Sequence, residues 1–478
     1  MSGWEDPQPM DADGPGVPSS SERNNAAREP AVTYVACGAS HSLALLNSDI
    51  ALSWGRGEDG QLGHGDADER KEPQAIYELL NSGVTSVHSG AEYSLACCRN
   101  RREVFSWGWG DFGRLGHGDA RDVFIPRAIP GLSGKRVRDV ACGDTHTLVS
   151  TFDAELWGFG RNQNGQLGLG HTDDAFAPIC VEDLKGQQVQ SVSCGSEHSI
   201  VATEEGKVYA WGWGRYGNVG DGSREDSSRR HRPARVQGLD NTRGVQVACG
   251  WRHTVVVDSE GRVYSFGWNK YGQLGHGTTA DEIVPRLVET LSKRRIKSIA
   301  GGWRHTIAGD DKGQLWSFGW NKFGQLGLGK HDDAPLPELV IGLSGHTIAQ
   351  LACGWRHSLA VSSEGQVFAW GRAGNGQLGL GDGRIPDQFT PQPVPCLSTG
   401  TIKLERFTSP RVPVTTYVAP ADRYAVVPNQ RQNSLPNGFM AVPQVVPICA
   451  QDGSPSSEQQ QHGPSSHPLS GQLEQLEA

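Results

Sequence analysis

The chain has 478 residues, 36% of them apolar, with 63 glycines and a formal net charge of −9. That composition suits one large repeat domain with polar tails, and the negative balance argues against general nucleic-acid affinity. No stretch approaches the roughly eighteen apolar residues of a membrane helix, so no membrane association is expected.

Residues 1–30 are rich in Pro, Ser and Asp and lack the apolar centre of a signal peptide. Their acids are Glu5, Asp6, Asp11, Asp13, Glu22 and Glu29, against Arg23 and Arg28. They read as a disordered, acidic extension.

A repeat begins at residue 31. The string Gly-x-x-Gly starts at Gly60, Gly113, Gly165, Gly217, Gly272, Gly324 and Gly376, at intervals of 52–55 residues. Six residues before each stands an aromatic followed by Gly: Trp54, Trp107, Phe159, Trp211, Phe266, Phe318 and Trp370. A small turn ending in His recurs from Gly38 to His41, Gly143 to His146 and Gly195 to His198, and three more times further on; the second copy carries Tyr93 instead. Short β-branched and aromatic runs such as Val208–Trp211 and Val263–Phe266 are bounded by Gly, Asp and Asn, as strands joined by tight turns are. A unit of about fifty residues with several short strands is a propeller blade. The expected fold is all-β: a seven-bladed β-propeller over 31–397, with a flexible tail over 398–478. Ring closure is expected to mix strands from the two ends.

The last three copies of the His turn differ from the others. They read Gly250-Trp251-Arg252-His253-Thr254, Gly302-Trp303-Arg304-His305-Thr306 and Gly354-Trp355-Arg356-His357-Ser358. The other four copies have Ala39-Ser40, Ala91-Glu92, Asp144-Thr145 and Ser196-Glu197 in that slot, so blade packing does not require Trp-Arg. Arg over an indole face is favourable by roughly 0.5–2 kcal/mol. Three such pairs on neighbouring blades form either a binding hot spot or a cluster of ultraviolet absorbers.

Charge is distributed unevenly. Early loops carry Glu58, Asp59, Asp68, Glu69, Asp111 and Asp122; late ones carry Arg252, Arg304, Arg356 and Arg372. If these loops share one face, that face is complementary to a second copy turned about a two-fold axis. A homodimer held by many weak pairs, and loosened by salt, is expected.

Other features read as structure. Trp54, Trp107, Trp211 and Trp370 share a slot with phenylalanines and are expected in the core. The repeated histidines, with His64, His117 and His276, read as turn-bracing hydrogen-bonders rather than metal ligands. Cys37, Cys142, Cys194, Cys249 and Cys353 precede the repeat Gly as small buried residues, which suits a reducing compartment. Glycine-rich strings such as Gly108-Trp109-Gly110 lack the Lys-Ser/Thr of a phosphate cradle, and no nucleophile–base set stands apart from the repeat. No enzyme, metal or bound cofactor is expected.

The aromatic-Gly, Gly-Gln-Leu-Gly and Gly-x-x-His pattern resembles the regulator-of-chromosome-condensation repeat family across 31–397. Within it, the triple Gly-Trp-Arg-His-Thr/Ser resembles the ultraviolet-B photoreceptors of plants and algae. In the tail, Asp422-Arg423-Tyr424-Ala425-Val426-Val427-Pro428 and Ala441-Val442-Pro443-Gln444 resemble segments of those receptors. The resemblance implies an intrinsic chromophore: Trp303 as main sensor, Trp251 as close partner, Trp355 as auxiliary, and Trp109 reaching across a dimer. It implies an aromatic surface of Trp213, Tyr216, Trp268 and Trp320. It also implies ion pairs of Arg304 with Asp111 and Asp122, Arg356 with Glu58 and Asp59, Arg372 with Glu58 and Asp68, and Arg161 with Glu197. UV-B would split the dimer. The monomer would engage an E3 ubiquitin ligase with a WD40 domain, partly through Val442 and Pro443, in cytoplasm and nucleus, with effects on gene expression and possible chromatin or transcription-factor association. WD40 repressor proteins would restore the dimer. In this sequence the third acidic loop residue falls at Asp68 or Glu69, and the tail beyond Pro443 turns apolar and then Ser/Gln-rich. The alternatives are a constitutive propeller scaffold and a nucleotide-exchange factor for a small GTPase; the latter suits a basic arm, whereas residues 1–30 are acidic. The run Lys293-Arg294-Arg295 reads as a solvated face of a repeat loop.

Overall fold

The computed structural model describes residues 31–224, 230–381 and 385–398. The arm over 1–30 and the tail segment with Val442 and Pro443 lie outside the described residues.

Seven four-stranded antiparallel sheets form the blades of a propeller, each built from four consecutive strands. The blades span 32–75, 86–128, 137–180, 189–235, 244–287, 296–339 and 348–393. Blade 6 shows the pattern from axis to rim: Ile296–Gly301, His305–Asp310, Leu315–Gly319 and Ala334–Leu339. The second strand of each blade is buried throughout, as in His305–Asp310. The outer strand is only partly buried and carries a proline at its fourth position in every blade: Pro73, Pro126, Pro178, Pro233, Pro285, Pro337 and Pro391. Proline cannot donate to a further strand, so these edges resist lateral association. No helix among the described residues is long and apolar enough to cross a membrane.

The core lies between blades. Trp54, Trp107, Phe159, Trp211, Phe266, Phe318 and Trp370 all fill this slot and are fully buried. The Trp107 indole N–H donates to the Gln61 carbonyl (2.9 Å), that of Trp211 to Gln166 (2.8 Å) and that of Trp370 to Gln325 (2.9 Å). The loop carrying Gly-Gln-Leu-Gly thus reaches the core of the next blade.

Closure differs from the expectation. Blades 1 and 7 exchange no strand; each is a complete sheet of consecutive strands. Their joint repeats the bonds used elsewhere: Trp54 Nε1–H donates to the Gln377 carbonyl (2.9 Å), and His357 Nε2 meets Ser42 Oγ (3.0 Å). A loop that already clamps its neighbour makes strand exchange unnecessary.

The repeated histidines serve the same joints. His41, His146, His198, His253, His305 and His357 each place Nε2 2.9–3.1 Å from a Ser or Thr hydroxyl of the following blade. Each hydroxyl donates in turn to a loop carbonyl at 2.7–2.9 Å, so Nε2–H is the donor. These bonds brace blade against blade rather than a single turn. In blade 2 the Tyr93 hydroxyl takes this place, donating to the His146 carbonyl at 2.7 Å. The preceding glycine is required by packing: a Cβ on Gly302 would stand 2.1 Å from His305 Cε1. Burial pushes His41, His146, His198, His253 and His305 down to about 3.

Candidate functional site

Two turns of every blade meet at one end of the propeller. In blade 6 His305 pairs with Gly319, so the residues before His305 and after Gly319 lie together. The Trp320 amide donates to the Arg304 carbonyl at 2.9 Å. The same bond joins Arg56 to Ser40, Trp109 to Glu92, Arg161 to Thr145, Trp213 to Glu197, Trp268 to Arg252 and Arg372 to Arg356. One backbone scaffold therefore presents seven side-chain pairs, of five kinds, on one rim.

On blades 5–7 this rim is aromatic and cationic. Trp303 is central and 3% exposed. Its ring centroid lies 5.4 Å from Trp251, 5.5 Å from Trp355 in a near-parallel stack (19°), and 5.8 Å from Trp320 edge-on. Trp251 meets Trp268 at 5.4 Å, and Tyr271 bridges Trp268 and Trp320. The row continues through Tyr216 to Trp213. These distances lie within the range of favourable edge and stacked ring pairs.

The guanidiniums lie on these rings. Arg252 sits 3.7 Å from the Trp251 centroid and Arg304 3.8 Å from that of Trp303. Arg304 also lies 5.2–5.4 Å from Trp251, Trp268, Tyr271 and Trp320, and donates to the Tyr271 hydroxyl at 2.9 Å. Arg252 donates to the Tyr216 hydroxyl at 3.1 Å. Arg356 departs from the expected pairing with its own indole: it lies over Trp303 (5.2 Å) and Phe323 (5.3 Å), while Trp355 gives its face to Trp303. Arg372 lies over Phe323 at 5.3 Å. Burial, then the charges of Arg372 and Arg304, pull the Arg356 guanidinium down to about 10. A cluster of like charges in partial burial favours an incoming anion.

Blades 1 and 2 carry the acids. Glu58 is exposed and 2.6 Å from Arg56, which also lies 3.7 Å from Asp59 and 3.2 Å from Glu92. Asp68 is 81% exposed at its side chain and reaches Arg70 at 3.9 Å. Asp111 opens the turn after Trp109. Asp122 accepts from the Gly110 amide at 2.9 Å, a bond repeated by Asp174, Asp281 and Asp333 in later blades, so it braces the loop as well as charging it. Burial raises Asp59 and Asp122 above the usual carboxylate range. Between the halves, Arg161 donates to Gln163 (2.8 Å) and Glu197 accepts from Asn164 (3.0 Å). The acidic residues stand on blades 1 and 2, apart from Arg304 on blade 6.

Sequence reasoning passed over several members. Arg114 replaces the Gln or Asn of the other six loops, is fully buried, and stacks 3.7 Å from the Trp109 ring. Its Nε–H donates to the Asp111 carbonyl at 2.9 Å and its Nη1 to the Asp144 carbonyl at 3.2 Å. Phe112 holds a left-handed φ of 63° beside it. Glu92 is 9% exposed; burial pushes it up to about 7 although Arg56 opposes the shift. Tyr271 and Phe323 complete the aromatic row. The readable signal was departure from the repeat, as at Arg114; Tyr271 and Phe323 fill an ordinary turn position and gave none.

The repeat that builds these seven blades is that of the RCC1-like domain. A model of that domain matches residues 8–298 and 126–409, and the chain belongs to this family. Among curated proteins it is 46% identical over 402 residues to the Ultraviolet-B receptor UVR8 of Arabidopsis thaliana, covering 84% of this chain and 90% of that protein. Among solved structures, human WBSCR16 superposes with a TM-score of 0.61 at 26% identity, over 70% of this chain and 87% of that one. Prp20p from Saccharomyces cerevisiae gives 0.62 at 24% identity, over 69% and 82%, a likeness of fold alone.

Proposed function

We propose that this protein is a UV-B photoreceptor whose chromophore is its own tryptophan cluster. The observation that carries the reading is Trp303: a buried indole within 5.4–5.8 Å of three others, with the Arg304 guanidinium 3.8 Å from its face. Indoles this close share excitation, and a cation on the face responds directly to any change in ring charge. Similarity to a UV-B receptor over most of both chains supports the same reading.

In the dark the rim faces a second copy. Arg304 pairs with Asp111 and Asp122 of that copy, Arg356 with its Glu58 and Asp59, Arg372 with its Glu58 and Asp68, and Arg161 with its Glu197. Trp109, held by Arg114, completes the indole group from the opposite side. Excitation centred on Trp303 and Trp251 disturbs the stacked arginines; the pairs, each worth little alone, fail together and the dimer opens. The monomer presents its core and the Val442-Pro443 segment to an E3 ubiquitin ligase with a WD40 domain, and WD40 repressor proteins return it to the dimer. The protein acts in cytoplasm and nucleus and changes gene expression, with no cofactor beyond its own tryptophans.

Light scattering before and after narrow-band UV-B tests this. Wild type is expected to fall from dimer to monomer mass and Trp303→Phe to stay dimeric. A mass indifferent to light in both would leave a constitutive interaction propeller.

A further inference from the structure

The end of the propeller opposite the indole rim holds a cavity of about 590 Å³. Its wall is made by the starts of the innermost strands of blades 3–6 and by the turn at Ser259 and Gly261. Two carboxylates in the wall are engaged internally. Asp258 accepts from the amides of Glu260 and Arg262 and from Arg262 Nε, and Asp139 accepts from the amides of Val140 and Val192. Arg138 is paired with Glu204 at 2.6 Å. Arg295 and Lys297 are exposed at the mouth and have no ion pair among the described residues. Amide donors leave the charge of Asp139 uncancelled, so Arg295 and Lys297 against this one carboxylate give the mouth a net positive charge.

The chain itself enters the propeller on this rim. The Ile296 amide, next to Arg295, donates to the Gly261 carbonyl (3.0 Å); the Val32 amide, next to Ala31, donates to the Gly365 carbonyl (3.3 Å). Ala31 thus stands in blade 1 where Arg295 stands in blade 6, with one blade between them. Upstream lie thirty residues with Glu5, Asp6, Asp11, Asp13, Glu22 and Glu29 against Arg23 and Arg28. Glu22 is 31 − 22 = 9 residues from Ala31, a reach of up to about 30 Å, and Asp11 and Asp13 reach further. Charge, point of attachment and length all suit one occupant.

We infer that the acidic arm over 1–30 folds back onto its own propeller and lays carboxylates against Arg295 and Lys297 in this cavity. The contact is electrostatic and screened by salt.

Zero-length carbodiimide cross-linking of the full chain in the dark, read by mass spectrometry, tests this apart from any light response. Lys297 is expected to join Glu22, Asp11 or Asp13 within one chain, with yield falling several-fold at high salt and in Arg295→Gln. Amide exchange at 190–191, 245–246 and 295–297 is expected to quicken several-fold when Asp11, Asp13 and Glu22 become Asn, Asn and Gln. Cross-links from Lys297 confined to the propeller, or joining two chains, would overturn the inference, as would exchange unchanged by neutralising the arm.

Discussion

Blades 1–2 and blades 5–7 share a backbone and differ in what they display. In both, the residue after the strand glycine donates its amide to the carbonyl before the repeat His or Tyr. In blades 5 and 6 that frame carries Trp-Arg beside a second Trp, and in blade 7 Trp-Arg beside Arg372; in blades 1–2 it carries Ser40 with Arg56 and Glu92 with Trp109, ringed by Glu58, Asp59 and Asp111. The frame needs neither set of side chains, so variation on it is free to serve function. A basic, ring-lined half and an acidic half on one rim fit each other across a two-fold axis, and neither fits itself.

Acid acts on the shared frame and marks what it contributes. His41, His146, His198, His253 and His305 are held near 3 by burial, far below the unfolded value. Their stabilisation is full above about pH 6.5 and is lost as pH falls toward 3, by about 2 kcal/mol for each ring at about pH 5. Circular dichroism should show cooperative unfolding on acidification, in monomeric variants as in wild type. Unfolding of the dimer with stable acid monomers would mean the histidines are not the weak point.

Charge reversal separates the halves. Arg304→Glu sets a carboxylate against Asp111 and Asp122 of a second copy and should weaken self-association about 1,000-fold. Sedimentation should show monomer at micromolar concentration, with a melting temperature lowered by the loss of the Arg304 contacts to Trp303 and Tyr271. The contrast between tryptophan classes is milder. Trp107→Phe copies the residue of blades 3, 5 and 6 and forfeits one N–H bond to Gln61, costing about 1 kcal/mol. Its melting point should drop a few degrees while its response to UV-B stays intact. A lost light response there would erase the distinction between frame and rim.

The smallest effect is expected at Glu92. Its value of about 7 exceeds the ordinary one of 4.5, so the folded chain holds a proton that the unfolded chain releases. Stability from this group falls as pH rises from about 4.5 through 7, and Glu92→Gln should be more stable than wild type at pH 8, measured by urea unfolding.

The fold was legible because repetition multiplies a weak signal. A single Gly-Gln-Leu-Gly is a turn; seven at 52–55 residues, each six residues after an aromatic, define blades. The rim was legible where the repeat breaks, at Trp251-Arg252, Trp303-Arg304 and Trp355-Arg356. Closure was not, because the bonds from Trp54 to Gln377 and from His357 to Ser42 join residues over 300 apart and leave no local trace. Nor could sequence show that Arg356 leaves its own indole for Trp303, since that depends on how Trp355 stacks.

Complementary charge reversal tests the proposed switch most directly. Arg304→Glu is mixed with a chain carrying Asp111→Lys and Asp122→Lys, and mass is followed in the dark and under UV-B. Each variant alone should be monomeric, the mixture should form a one-to-one dimer, and UV-B should split it through the wild-type Arg304 that one chain retains. Variants that stay monomeric when mixed, or a mixed dimer that ignores light, would contradict a rim whose two halves pair across copies and part on excitation.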